Sequence, residues 1–211
     1  MTSVLLTCAG LAGIGYWLTL LSAPHSLLRA LVKTLPVALI ALTSWLAGGA
    51  WLLTIALVLS AAGDWFLAFK GERAFLAGLV SFLVAHLVYC VLFFAGQDEA
   101  WAAGPWFLAG TVIIFAIALG IYRRLRNRLG PMKLPVAIYT AAIAAMAVAA
   151  LSRGPDPVLI SGAVLFMASD MVLAHEVFVL DEDSPARRIT SPFIWLSYLA
   201  AQVLIAAAFL L

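Results

Sequence analysis

The chain has 211 residues, of which 65% are hydrophobic and only 10% are charged, and its formal net charge is +2. Because soluble domains are about 45–50% apolar, this composition excludes a water-soluble protein and indicates an integral membrane protein. The apolar residues form runs of roughly 20, the length of a membrane helix, rather than the alternating strands of about ten residues that build membrane β-barrels. We therefore expect an all-α integral membrane protein.

Eight apolar segments, separated by turns rich in Gly, Pro or charged residues, predict a bundle of eight transmembrane helices in a single domain over residues 1–211. The first segment lacks the basic flank of a signal peptide and is too long for one, so it is also predicted to be a helix. In chain order, the predicted spans are 3–21, 29–47, 50–69, 74–95, 104–122, 133–151, 157–178 and 190–211. Cys8 and Cys90 lie within spans in no disulfide or metal-binding pattern, and both are predicted to be small core residues.

The distribution of basic residues predicts the orientation of the helices. When successive turns are assigned to opposite sides of the membrane, all 12 lysines and arginines except Arg153 fall on one side. The positive-inside rule places that side in the cytoplasm, so both termini are expected outside, and the short loops favour a bacterial inner (cytoplasmic) membrane. The basic run at 123–128 is expected to contact lipid headgroups rather than nucleic acid. His175 and Glu176, close to a membrane edge, are predicted to be interfacial.

A faint internal repeat relates the two halves of the chain. LPVA occurs at 35–38 and again at 134–137, each time just after a lysine. Aligning Asp64 with Asp170 also pairs VLSAAGDWFLA with VLFMASDMVLA. Spans 1–4 and 5–8 would then be two parallel four-helix repeats. A chance match stays open, because Ala, Leu and Val are abundant throughout the chain.

Asp64 and Asp170 are the strongest candidates for a functional site, because each is an acid within an apolar span. Placing a charge at bilayer depth costs at least about 2.5–3.5 kcal/mol, so acids at that depth usually have a function. At 1.5 Å of rise per residue, Asp64 lies about 9 Å and Asp170 about 12 Å from the cytoplasmic end of its span. A pocket open to the cytoplasmic half of the membrane is therefore predicted. A purely structural pair with Lys or His is the alternative.

Other polar residues within the spans are predicted to complete this pocket by binding substrate or by hydrogen bonding to the acids. They are Lys33, Ser60, His86, Tyr89, Tyr139, Ser169, Tyr198 and Gln202. His86 and Tyr89 share one helix face, as do Tyr198 and Gln202, because their spacings are three and four residues. Six of these residues also have a simpler interpretation. Lys33 could snorkel to the headgroups, His86 could be a hydrogen-bonded core residue, and Tyr139 and Tyr198 could be packing residues with one bonded hydroxyl. Ser60 and Ser169 could bond only to backbone carbonyls.

Six segments of the chain resemble the YhhN-type lysoplasmalogenases, which are eight-helix enzymes of bacterial and animal membranes. They are KTLPVALIAL, ALVLSAAGDWFLAF, FLAGLVSFLVAHLVYCVLF, LPVAIYTAAIAAMAVAA, SGAVLFMASDMVLAHEVF and YLAAQVLI, and together they cover nearly the whole chain from the second span onward. The most specific motifs are S-x-x-G-D at 60–64, G-x-x-x-F-x-x-A-H-x-x-Y at 78–89 and S-D at 169–170. The chain departs from the family at Lys33, three residues before Pro36, where the family commonly has the lysine directly before the proline.

This resemblance implies hydrolysis of the vinyl ether bond of a lysoplasmalogen to a fatty aldehyde and glycerophosphoethanolamine or glycerophosphocholine. The chemistry requires an acid that protonates the vinyl β-carbon and a group that orients or deprotonates water, as in a glycosidase with two carboxyls. We expect Asp64 and Asp170 to be these groups, in an order left open, with one carboxyl kept protonated by burial and by the second acid. Lys33 and the cytoplasmic arginines are expected to hold the substrate phosphate.

No cofactor or metal is required by this scheme, although an Asp–Asp–His metal site is an open alternative because these ligands suit several divalent ions. The expected partners are a lysophospholipid substrate and membrane lipids, and no nucleic acid. The main alternative function is a proton-coupled small-molecule or lipid transporter, since transporters also use intramembrane acids and parallel repeats. A lipid-binding scaffold without chemistry is disfavoured, because it has no use for two buried acids.

Overall fold

The fold is that of a computed structural model, which describes residues 2–21 and 23–211. The described chain is all-helical and contains no β-strand. Its helices are α1 (Thr2–Thr19), α2 (Leu27–Leu46), α3 (Trp51–Leu67), α4 (Glu72–Phe94), α5 (Glu99–Ala102), α6 (Pro105–Leu125), α7 (Lys133–Ser152), α8 (Pro157–Phe178) and α9 (Arg187–Leu210). Each of the eight predicted segments is a helix. The largest differences are at the end of α6, which continues past residue 122, and at the start of α9, which precedes residue 190.

Six of the described helices are long and apolar enough to cross a membrane, namely α2, α4, α6, α7, α8 and α9. The remaining apolar helices are shorter, over Val4–Thr19 and Trp51–Leu67. α6 is the most exposed of the long helices, with only Ala118 and Leu125 buried. Trp106 on its surface is 74% exposed. A helix that exposes large apolar side chains on most of its surface fits a lipid environment, so the protein is a multi-pass membrane protein.

The two cysteines differ in their surroundings. Cys90 is buried in the core, as predicted, but Cys8 is exposed on α1, so the prediction for Cys8 was wrong. A thiol is apolar enough to face either lipid or the protein interior. Residue type therefore does not decide which surface of a membrane helix a cysteine occupies.

Local hydrogen bonds define where several helices begin and end. The side chain of Ser26 accepts a hydrogen bond from the backbone N–H of Arg29 at the start of α2 (3.1 Å). Asp156 caps α8 in the same way and is followed by Pro157 at the first helical position, where a missing N–H has no cost. The connection after α4 contains the short helix α5, which was not predicted. It is capped by Asp98 and held by the indole N–H of Trp101, which donates to the carbonyl of Leu151 (2.9 Å).

Of the described helices, all of those named above except the four-residue α5 are long enough to pack side by side, and they form two groups of four. Neighbours in sequence are neighbours in space, from α1 to α4 and again from α6 to α9. Between the groups, α4 packs against α7 and α9 packs against α2. The fourth long helix of each group thus packs against the second long helix of the other group.

Two glycines allow α3 and α4 to approach closely. A Cβ atom at Gly63 would lie 2.5 Å from the ring of Phe82, and one at Gly78 would lie 2.7 Å from the side chain of Leu67. Small residues at helix contacts are typical of membrane proteins, in which close backbone packing drives association. The glycines of the two sequence motifs on α3 and α4 therefore hold these helices together beside Asp64.

Candidate active site

Asp64 and Asp170 line the same large cleft, which has a volume of about 1040 Å³. The cleft opens at one end of the bundle, between the C-terminal ends of α1, α3 and α8 and the N-terminal ends of α2, α4 and α9. Both aspartates lie in the C-terminal halves of their helices, Asp64 three residues before the end of α3, and Asp64 is 2% exposed. The helix ends thus bring the two predicted acids to one cavity, although they are far apart in the chain.

Asp64 is contacted by a hydroxyl and a cation. The hydroxyl of Tyr198 on α9 donates a hydrogen bond to Oδ2 of Asp64 (2.7 Å). Nζ of Lys33 on α2 lies 3.6 Å from Oδ1, and the Lys33 side chain is 16% exposed. The ammonium group stabilises the charged form of this carboxyl, and the hydroxyl orients it.

Asp170 has a hydroxyl neighbour of the same kind but a different second neighbour. The hydroxyl of Tyr139 on α7 donates a hydrogen bond to Oδ2 of Asp170 (2.6 Å). Nε2 of His86 on α4 lies 3.6 Å from the same oxygen, and the His86 side chain is fully buried. No lysine or arginine forms an ion pair with Asp170 in the described part of the chain.

Aromatic rings connect the surroundings of the two acids. The ring of Phe166, which is fully buried, lies 4.7 Å from His86 and 5.4 Å from Tyr198 between centroids. Tyr139 lies 5.3 Å from His86, nearly perpendicular to it. Tyr198, His86 and Tyr139, the aromatic side chains that contact the two acids, thus belong to one packed cluster, which restricts their rotamers.

The other four predicted site residues make hydrogen bonds that do not involve the acids. The hydroxyl of Tyr89 donates to Oε1 of Gln202 (2.7 Å), and both residues are fully buried. Ser60 donates to the carbonyl of Ala56 on its own helix (2.9 Å). These three predicted residues do not line the cleft. Ser169 does line it, and its hydroxyl joins α8 to α9.

Basic side chains surround the open end of the cleft. They are Arg29, Lys33, Lys70, Arg187 and Arg188. Nε of Arg29 donates to the hydroxyl of Tyr16 (3.3 Å), and its Nη2 donates to the carbonyl of Leu21 (3.1 Å). Lys70 is exposed and lies 3.5 Å from Glu182. An anionic group that enters the cleft therefore meets several cations before it reaches the aspartates.

Glu176 lines the cleft as well, although it was predicted to be an interfacial residue and not a member of the site. His175 is exposed, as an interfacial residue is, but Glu176 is only 7% exposed. Its carboxylate accepts hydrogen bonds from Arg187 (3.2 Å) and Ser191 (2.9 Å), and also from the hydroxyl of Thr190. These donors belong to the first turn of α9, which folds back on α8. The sequence did contain a signal for this contact. An acid lies near the end of one helix, and the next helix begins with basic and hydroxyl side chains.

Tyr16 is a second residue of the cleft that sequence reasoning missed. It is 1% exposed, and its ring packs 4.6 Å from that of Trp195 between centroids. The indole N–H of Trp195 donates to the carbonyl of Gly13 (2.9 Å), which fixes α9 against α1. Nothing in the apolar first span distinguished Tyr16 from an ordinary packing residue.

A second, smaller cavity lies beside the cleft, with a volume of about 60 Å³. Asp170 lines both cavities, whereas Asp64 lines only the large cleft. Apart from Asp170, the small cavity has Tyr139 and Thr140 as polar neighbours, and the rest of its wall is apolar. Six apolar side chains border both cavities: Leu67, Phe75, Phe82, Leu173, Val177 and Phe178.

A metal site formed by two aspartates and a histidine was the open alternative from the sequence. Among the described residues, no group of three or more His, Cys, Asp or Glu side chains comes together in a way that could hold a metal ion. Asp64, Asp170 and His86 therefore do not form the Asp–Asp–His ligand set that the sequence left open.

Known proteins similar to this chain include several lysoplasmalogenases. A lysoplasmalogenase of Mycobacterium tuberculosis is 36% identical over 159 residues, which are 73% of this chain and 58% of the relative. Human lysoplasmalogenase TMEM86B is 37% identical over 183 residues, or 83% of this chain and 73% of the relative. Lysoplasmalogenase TMEM86A of Bos taurus is 29% identical over 203 residues, or 88% and 79% of the two chains. The chain thus spans little more than half the length of the mycobacterial relative.

No solved structure matches the chain. A family model described as the YhhN family matches residues 28–209, from the start of α2 to the end of α9. This match contains both aspartates and every side chain that contacts them. The chain therefore belongs to the YhhN family.

Proposed function

We propose that this protein hydrolyses the vinyl ether bond of lysoplasmalogens, with Asp64 and Asp170 as its acid–base pair. The observation that supports this most directly is a single cleft lined by two carboxyls, each of which accepts a hydrogen bond from a tyrosine hydroxyl. The names of the relatives point to the same activity. The products are a fatty aldehyde and glycerophosphoethanolamine or glycerophosphocholine.

The chemistry needs two groups with different tasks. Protonation of the vinyl β-carbon leaves a cation that the ether oxygen stabilises, and water then adds to the carbon attached to that oxygen. The resulting hemiacetal collapses to an aldehyde and an alcohol. One carboxyl supplies the first proton, and the other activates water, which is the arrangement of a two-carboxylate glycosidase. Asp64 is 2% exposed and the Asp170 side chain only 10% exposed, so both act on the cation more strongly than they would in water.

The shape and charge of the cleft fit an amphiphilic phosphate ester. The phosphate of the substrate binds among the basic side chains at the open end, which include Arg29 and, 3.6 Å from Asp64, Lys33. Arg29 is already oriented by its bonds to Tyr16 and Leu21. Arginine and lysine are the usual phosphate ligands. With its headgroup held there, the substrate reaches inward toward Asp64 and Asp170.

The proposed topology has eight membrane-crossing helices with both termini outside and the cleft open to the cytoplasm of a bacterial inner membrane. The support is the collection of basic residues at the open end of the cleft. We would replace both native cysteines by alanine and introduce single cysteines at Lys70 or Arg153. A membrane-impermeant maleimide should label Arg153→Cys in intact cells, and Lys70→Cys only after permeabilisation. The reverse pattern would contradict the proposed orientation.

The contacts of the aspartates also support two parallel four-helix repeats, α1–α4 and α6–α9. Each aspartate lies on the third long helix of its group. Each is approached by a residue from the second helix of the same group, which is Lys33 or Tyr139. Each is also approached from the fourth helix of the other group, by Tyr198 or His86. A chance sequence match has no reason to produce this reciprocal arrangement.

The test of function is aldehyde release by the purified protein in detergent or lipid discs. Lysoplasmenylethanolamine and lysoplasmenylcholine are compared with the acyl-ester lysolipid of the same chain length. We expect aldehyde from the vinyl ethers and no hydrolysis of the ester. Absence of aldehyde from a folded sample would contradict the proposal, and proton flux in liposomes would then test the transporter alternative. An enzyme needs access from one face of the membrane only, whereas a carrier needs access from both faces. The residues that line the large cleft lie at one end of the bundle, which favours the enzyme.

A further inference from the structure

We propose that Asp170 is the acid that protonates the vinyl β-carbon, that Asp64 activates the water, and that the small cavity beside Asp170 takes the first carbons of the alkenyl chain. This inference rests on the proposed function. It starts from the position of Asp170 at the junction of two cavities of opposite character.

The order of atoms in the substrate matches the order of the cavities. In a lysoplasmalogen, the vinyl α-carbon is attached to the ether oxygen and hence to the glycerol phosphate. The β-carbon is attached to the alkyl chain. A phosphate held at the basic end of the large cleft directs the ether oxygen inward and the alkyl chain further inward. The apolar walls of the small cavity suit that chain, because transfer of methylene groups from water to an apolar surface is favourable. The β-carbon then lies at the junction, where Asp170 is.

The neighbours of the two acids divide in the same way. Lys33 and Tyr198 line only the large cleft, together with Asp64. Tyr139 lines only the small cavity. The ammonium of Lys33 keeps a negative charge on Asp64, which a base for water requires. Asp170 forms no ion pair with a lysine or arginine in the described part of the chain and borders an apolar cavity, a setting that stabilises the neutral carboxylic acid.

With these roles, every proton that is transferred in one catalytic cycle is accounted for. The O–H bond of Asp170 breaks as the vinyl π electrons form a C–H bond at the β-carbon, and the cation is shared by the α-carbon and the ether oxygen. Asp64 takes one proton from water as the water oxygen bonds to the α-carbon, which gives the hemiacetal. On collapse, the bond between the α-carbon and the glycerol oxygen breaks and Asp64 returns its proton to that oxygen. The hemiacetal hydroxyl loses its proton to Asp170, and both carboxyls regain their starting states.

Deuterium labelling distinguishes the two carboxyls. Asp64→Asn and Asp170→Asn are each incubated with lysoplasmenylethanolamine in D₂O. The measured quantity is total proton delivery to the β-carbon, which is the amount of aldehyde released plus the amount of recovered substrate deuterated at that carbon. We expect this total to be at least about tenfold larger for Asp64→Asn, because the acid remains and protonation becomes reversible when water addition is slow. An equal or smaller total for Asp64→Asn would overturn the assignment.

The chain cavity is tested by filling it. Ala174 lines the small cavity only, so Ala174→Phe should exclude the carbons next to the vinyl ether. Loss of two buried methylenes lowers kcat/KM by about tenfold for a long-chain substrate. The matched control is Val164→Phe on the exposed face of the same helix. Both variants are also assayed with the ethenyl ether analogue, whose β-carbon is its last carbon.

The expected pattern is selective. Ala174→Phe should lose activity on the long-chain substrate and keep that on the ethenyl ether, whereas Val164→Phe keeps both. Equal loss on both substrates, or no loss on either, would overturn the chain cavity. A wild-type protein that releases no aldehyde at all would instead refute the proposed function. The two failures are therefore distinguishable within one set of assays.

Discussion

Asp64 and Asp170 occupy corresponding places in the two groups of four helices, but their neighbours differ in charge. Both accept a short hydrogen bond from a tyrosine. A lysine lies 3.6 Å from Asp64, whereas a fully buried histidine lies 3.6 Å from Asp170. Two acids in similar local sequence therefore receive chemically different neighbours, because those neighbours come from adjacent helices.

Removal of either carboxyl should have the largest effect. Asp64→Asn and Asp170→Asn keep the side-chain shape and lose the titratable group, so each should lower kcat for aldehyde release by about 10²–10⁴-fold. Thermal unfolding in detergent checks that the variants are folded. Asp183→Asn, in the exposed connection before α9, is the matched control and should keep normal activity. Near-normal turnover by either buried variant would remove that residue from the mechanism.

Removal of the cation beside Asp64 should have the second-largest effect on activity. Lys33→Met leaves a buried carboxyl without its ammonium neighbour, so the carboxyl becomes neutral and cannot activate water. We expect kcat to fall by about 100-fold, since breaking a partly buried ion pair costs several kcal/mol. Lys70→Met is the control, because Lys70 lies at the exposed end of the cleft. It should raise KM without lowering kcat, and equal effects of the two substitutions on kcat would contradict the difference between the acids.

The two tyrosines allow a direct comparison of the carboxyls they contact. With Asp64 ionised, as proposed, Tyr198→Phe removes a hydrogen bond to a charged acceptor and should lower kcat by about tenfold or more. With Asp170 neutral, as proposed, Tyr139→Phe should lower kcat only about two- to tenfold. Steady-state kinetics of the two single variants give this ratio. A larger effect of Tyr139→Phe would indicate that the charge lies on Asp170 instead.

Substitution of the residue that precedes each acid should have the smallest effect, and this effect should be on protein stability rather than on the reaction rate. Gly63→Ala places a Cβ atom against the ring of Phe82 and should lower the free energy of unfolding by about 1–3 kcal/mol. Ser169→Ala loses one hydrogen bond to the carbonyl of Ile194, for about 0.5–1.5 kcal/mol. Both are measured by denaturant unfolding in detergent. Phe82→Leu should restore much of the loss in the Gly63→Ala background, and failure to do so would show that the ring is not the obstacle.

The helices were largely predictable, because their cause is local. A run of about 20 apolar residues bounded by polar turns must bury its backbone polar groups within itself, and only a helix does so. The short helix α5 was not predicted, because it depends on the contact of Trp101 with the distant end of α7. Cys8 was misplaced for a related reason. Apolar periodicity does not distinguish the lipid from the core when both are apolar.

The site was predictable in its members more than in its contacts. Lys33, His86, Tyr139 and Tyr198 were singled out as polar residues at one depth, and the structure brings all four to the aspartates. Ser60 instead bonds to its own helix, and Tyr89 bonds to Gln202. Depth in a span is one coordinate, and it does not determine which side of the helix a residue faces within the bundle.

The sequence alone thus determined a helical membrane protein with two intramembrane acids, because the cost of burying a charge makes each acid conspicuous in an apolar run. The tertiary structure decided which neighbours each acid received. Tyr198 reaches Asp64 across 134 residues of chain, and only the packing of α9 against the first group of helices brings them together. It also decided that Asp170 borders two cavities and Asp64 only one. A cavity forms from the surfaces of several helices, so no spacing within one helix could reveal it.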